Sequence, residues 1–198
     1  MEEEKKPTKR VMFGSQFVGE IPAGDFMAEL KASQELFKVK GINLPPIPIE
    51  RQMFAQARSF AEAGAMLYRG DGGMKIGSGV VGPFVVMSVF SIELYLKTLA
   101  AVHNVPKLQG HELVDLWGKM PAAARDIAKR EWPASRSLHK VEGAPQLREC
   151  LARLSNVFVE WRYVYENDVS SHVNIPEVVA CTYCLDAACR AAFHARGK

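Results

Sequence analysis

The sequence predicts an all-α chain, an antiparallel up-and-down four-helix bundle with two short inserted helices and an N-terminal arm. Three observations predict it. Long apolar stretches are separated by loops rich in glycine and proline. Two of these stretches carry apolar stripes at alternating spacings of three and four, the signature of a packed helix. No stretch alternates apolar and polar residues long enough to read as a useful strand, and no internal repeat is present.

The elements follow in order. Residues 1–49 read as an arm. A charged tail, MEEEKKPTKR, leads into VMFGSQFVGE, which is extended at best. Asp25 is placed to cap a helix through FMAELKASQELFK that Gly41 ends. Phe26, Leu30 and Phe37 share one side of it, so this helix is expected to dock. Pro45, Pro46 and Pro48 then make an extended strap.

Residues 50–198 read as the bundle. Its first long helix spans 50–69, with Met53, Ala57, Phe60, Gly64 and Leu67 as its stripe; the small members let a neighbour approach closely. The second spans 83–103 from Pro83, a residue welcome in a first turn. It is apolar nearly all round, as a helix covered on most faces reads. ELVDLWGKM and AAARDIAKREW form the two inserted helices, and Pro133 is expected to end the second, with a loop to Ala144. The third long helix covers 145–166, where Leu147, Leu151, Leu154, Phe158, Trp161 and Tyr165 repeat like a heptad. The fourth covers 176–195 and is rich in alanine and cysteine.

Composition excludes little and bounds much. Hydrophobic residues make up 48% and charged residues 24%, as in a globular protein with a real core. The net charge of +3 permits nucleic acid as a partner without demanding it. The charged N-terminus lacks the apolar core of a secretory signal. The longest apolar run, Val80 to Ile92, is short of a membrane span and is followed at once by Glu93 and Lys97. The expected location is the cytoplasm, with no membrane contact. Cys181, Cys184 and Cys189 crowd one helix, which suits buried thiols better than a disulfide framework.

Several motifs carry chemistry. Glu93 and Lys97 stand four apart in the favourable order on an otherwise greasy helix. Arg162 and Glu166 repeat that spacing in reverse order on the third long helix. If the two helices are neighbours these pairs meet, and His111, at the start of an inserted helix, is placed to join them. Lys119 to Arg153 is a basic tract containing Lys129 and Arg130, read either as a solvated face or as a phosphate-contacting one. Gly77-Ser-Gly79-Val-Val-Gly82 has the letters of a dinucleotide loop but neither the preceding strand nor the acidic residue that motif needs, so it reads as a linker. Cys181-x-x-Cys184 is half of a zinc site with no other half, so no metal or other cofactor is expected.

SIELYLKTL, GHELVDLW and FVEWRYVYE, on successive helices, resemble bacterial members of the HEPN superfamily. The resemblance runs from about Glu50 to the C-terminus and rests on Ser91, Glu93 and Lys97, on Gly110-His111-Glu112-Leu113, and on Arg162-Tyr163 with Glu166. It implies a helical bundle, frequently a homodimer, from a group found in toxin–antitoxin, phage-defence and RNA-processing systems. Many of its members are metal-independent ribonucleases whose R-x4–6-H motif places an arginine on the phosphate and a histidine at the ribose hydroxyl. This chain departs there: none of its five histidines has an arginine at that spacing.

The expectation is therefore a HEPN-like protein without the usual nuclease centre. It binds nucleic acid, a nucleotide or a protein partner as a homodimer, through Glu93, Lys97, His111, Arg162, Glu166, Lys129 and Arg130. The alternatives are a ribonuclease of toxin or phage-defence type, using Arg162 with His172 or His111, and a dimerising scaffold whose arm swaps between copies.

Overall fold

The computed structural model describes residues 7–43, 46–69, 79–155, 157 and 173–197. Among them the chain is mostly helical, with seven helices and one two-stranded sheet. It divides into two compact units, Met1–Pro46 and Ile47–Lys198.

The first unit holds the sheet that the sequence did not announce. β1 (Thr8–Phe13) pairs antiparallel with β2 (Gln16–Pro22). Gly14, at φ +60, begins the two-residue turn between them, a conformation for which glycine suits the twist of a hairpin. A bulge between Val11 and Met12 puts Val18 out of register. Val11, Val18 and Ile21 are the buried residues of this unit, covered by Ala32, Leu36, Phe37 and Ile42. α1 (Phe26–Val39) lies on β2. A Cβ on Gly19 would stand 3.1 Å from Leu36 Cδ2, so a side chain there would require Leu36 to give by a few tenths of an ångström. Asp25 caps α1 as expected, accepting from the Ala28 N–H at 2.9 Å. The docking side is Leu36 and Phe37, however. Phe26 is 76% exposed and Leu30 is also exposed.

The second unit is built on α3 (Val81–Val102). Its residues from Ser91 to Leu96 are all buried, more than one full turn, so neighbours surround it. By length and composition alone this helix is apolar enough to cross a membrane, but 78% of its most apolar window is covered by the protein itself. α2 (Ile49–Arg69) packs along it. The approach is close at Gly64, where a Cβ would lie 2.9 Å from Ser88 Oγ. α7 (Ile175–Arg196) also packs along α3, its Cys189 Sγ donating to the Tyr95 carbonyl at 3.5 Å.

α4 (Leu113–Lys119) and α5 (Ala122–Leu138) follow α3, and α5 packs on α7. α5 is not short. It runs through Pro133, where the sequence predicts a stop. Proline there leaves the Lys129 carbonyl without its usual helical donor, but both residues face water. The turn is held by its buried side: Trp132 is 3% exposed and its indole N–H donates to the Pro145 carbonyl at 2.8 Å.

α6 (Leu147–Leu154) begins with a capping box between Gln146 and Glu149. The expected third long helix, 145–166, is matched by α6 over Leu147–Leu154; residues 158–172 lie outside the described residues. Arg153 of α6 grips Glu177 in the first turn of α7 with two bonds, of 3.0 and 2.8 Å. Glu177 is 4% exposed, so this bidentate pair satisfies a carboxylate that burial would otherwise penalise.

Candidate functional site

Three of the sequence-predicted residues meet at one atom. Glu93 Oε1 accepts from Lys97 Nζ at 2.7 Å and lies 3.1 Å from His111 Nδ1. The helical spacing of four brings the first contact. The second joins residues eighteen apart in sequence and needs the turn between α3 and α4. Gly110 makes that turn: its φ of +108 lies where residues with a side chain are strained. The start of α4 is then pinned, because the Val114 N–H donates to Ser155 Oγ at 3.0 Å, giving an orphan helix donor a partner on α6. Gly110 and Ser155 are therefore the positioning residues of the cluster. The spacing to Ser155 is too long for any local motif to reveal.

The three members differ in burial. The Glu93 side chain is 7% exposed, Lys97 18% and His111 84%. An isolated buried carboxylate is costly; here one cation and one imidazole N–H compensate it. Bonding through Nδ1 fixes His111 as a donor on that side and turns Nε2 outward. Chemically, this is a carboxylate–histidine pair with an accessible ring nitrogen, flanked by a mostly covered ammonium. It orients an imidazole for hydrogen bonding or proton transfer.

Arg162, Glu166 and His172 lie outside the described residues. Lys129 and Arg130 are on exposed positions of α5, away from its buried side. Much of the basic tract is engaged within the protein. Lys129 pairs with Asp126 at 3.1 Å, Arg125 bonds the Gly118 carbonyl at 2.9 Å, Arg136 bonds Ala144, and Arg153 holds Glu177. Among the described residues Arg130, Lys140 and Arg148 remain exposed without a partner.

The cysteines are core thiols, all four buried and free. Burial pushes Cys184 up to about 12, and Cys181 and Cys189 well above the ordinary thiol value. No group of three or more potential metal ligands occurs among the described residues.

Sequence reasoning missed a second polar region. Tyr95, two residues from Glu93, points to another face of α3, where its hydroxyl donates to Asp186 Oδ1 at 3.2 Å. Asp186 is also bonded by Arg190 Nε at 2.6 Å. The available signal was Asp186 and Arg190 themselves, an acid-before-base i,i+4 pair on an otherwise apolar helix. No family model, curated protein or solved structure matches the chain.

Proposed function

We propose that this chain is a HEPN-like helical-bundle protein that works by binding, as a homodimer, with RNA or a nucleotide as its ligand. The observation that carries this is the convergence of Lys97 and His111 on the buried Glu93 carboxylate. Burying an acid in the main core helix is costly, and a chain that needs only a register pin does not also require an exposed imidazole held from a separate element. The order of the helices supports the bundle. Phe54, Phe60 and Tyr68 meet Tyr95, Phe90 and Phe84 in turn, and Glu50 and Phe54 meet Arg196 and Phe193, so α2 runs against both α3 and α7, which run parallel to each other. Second and fourth members of an up-down-up-down bundle are related in this way.

The phosphate-facing part of the reading rests on exposed cations. Arg130, Lys140 and Arg148 are free to contact phosphate, and Lys129 is held only by an exposed pair of little strength. Binding of a single-stranded RNA at low salt, followed by fluorescence anisotropy, tests it. Affinity is expected to fall steeply as salt rises, and the salt slope to shrink when Lys129 and Arg130 are both changed to alanine. No binding of RNA or nucleotide at low salt refutes the proposal.

A second reading is favoured by the outward Nε2 of His111: a metal-independent ribonuclease in which Arg162 holds the phosphate and His111 moves the proton. Its test is RNA incubated with the protein in EDTA. Cleavage that disappears in both Arg162→Ala and His111→Ala selects this reading, and intact RNA rejects it.

A further inference from the structure

A cleft of about 580 Å³ opens between α2 and α7, with α3 as its floor. None of the residues Glu93, Lys97 and His111 lines it. Its two ends differ. Tyr68 and Phe84 face each other at one end with ring centroids 5.4 Å apart, and His139 lies against Tyr183 at 4.9 Å. At the other end stand two ion pairs, Arg58 with Glu62 on the α2 lip and Arg190 with Asp186 on the α7 lip, each at 2.6 Å. Ten residues separate Arg58 from Tyr68, so the ends lie roughly 15 Å apart along the helix.

One observation points to a ligand. On the wall, His139 Nε2 is buried without a partner. Native interiors rarely leave such a group unsatisfied. Ser88 adds a hydroxyl-bearing side chain to the floor. The charged end has two cations and two anions, so it offers no net charge to a simple anion or cation. It offers a carboxylate two guanidinium groups and an ammonium two carboxylates. Both resident pairs are partly exposed i,i+4 pairs, weak enough to re-aim toward a guest.

We infer that this cleft binds a small zwitterion carrying an aromatic arm, of about the size of an aromatic dipeptide. The arm lies between the Tyr68–Phe84 and His139–Tyr183 pairs. The charged head bridges the two lips, and Ser88 supplies a hydrogen bond between them. Volume, apolar walls and a few convergent polar groups are the usual attributes of such a site.

The experiment is a titration of the full ¹⁵N-labelled chain, read by amide shifts, with three probes: phenylalanyl-phenylalanine, its C-terminal amide and its N-acetyl form. The zwitterion is expected to shift Ser88, Tyr95 and Asp186 saturably. The two forms lacking one charge are expected to bind about tenfold or more weakly, since each leaves one set of charges unanswered. In Arg58→Gln/Arg190→Gln the zwitterion should lose its advantage over the amide. Ala65→Phe, which fills the cleft, should abolish binding while circular dichroism stays unchanged. Absence of saturable shifts with any probe overturns the inference, as does equal binding of all three, which marks a plain apolar groove. The comparison of probes on the wild-type chain decides the matter even if a variant fails to fold.

Discussion

The two units of this chain solve the same problem at different scales. The helical unit buries one helix on nearly every face and spreads its core over α2 to α7, including Trp117, Trp132 and Leu185. Among its described residues the N-terminal unit buries three side chains, Val11, Val18 and Ile21. No residue of α1 is buried, and Phe13, Phe17, Phe26 and Met27 are all exposed. A two-stranded hairpin is marginal without further cover, and so is a core of three residues. The difference teaches where polar groups can be held with precision. Glu93 sits inside the dense unit, where surrounding side chains fix its rotamer. The comparable pair in the small unit, Lys9 with Glu29, lies at the surface.

The largest test of this contrast is deletion of core volume. Leu99 is fully buried in α3, so Leu99→Ala should cost about 2–5 kcal/mol by denaturant unfolding, against about 1 kcal/mol for Val18→Ala in the hairpin. Equal effects would erase the distinction. Next comes the buried acid. Glu93→Leu leaves Lys97, 18% exposed, without its partner, and should lower stability by about 1–3 kcal/mol in thermal unfolding. Gly110→Ala follows, at about 1–3 kcal/mol for a side chain forced to φ +108, with loss of the His111–Glu93 contact as its separate mark in histidine NMR spectra.

The smallest effect is a dependence on pH. Burial, with Arg196 adding to it at His103, holds His103 and His139 below the usual histidine value. The unfolded chain therefore takes up these protons first. Stability should fall as pH drops below about 6.5 and should not change on their account above it. His103→Gln with His139→Gln should flatten that slope. A slope unchanged in the double variant would assign it to other groups.

Much of the helical unit was legible in the sequence, for physical reasons. The stripe containing Gly64 announced a close neighbour, and Gly64 lies against Ser88 of α3 with no room for a Cβ. The greasiness of 83–103 announced a helix covered all round, which α3 is. Glu93 and Lys97 were singled out by their spacing on an apolar helix and His111 by its place at a helix start, and the three converge. The failures have causes as well. The hairpin was unreadable because its bulge at Val11/Met12 breaks the alternation that identifies strands. Pro133 reads as a stop by local rules, but tertiary packing of Trp132 and Ser135 carries α5 past it to Leu138. The cleft was invisible because Tyr95, His139 and Asp186 come from three elements, and no spacing within one helix encodes their meeting.

The most direct measurement of the central claim is RNA affinity at about 50 mM salt for the wild-type chain, His111→Ala and Glu93→Gln, each with its circular dichroism checked. The account predicts saturable binding by the wild type and a loss of about tenfold in both variants, since the first removes the imidazole and the second removes the charge that strengthens its hydrogen bond. Binding that ignores both substitutions, or a wild-type chain that binds no RNA, contradicts it.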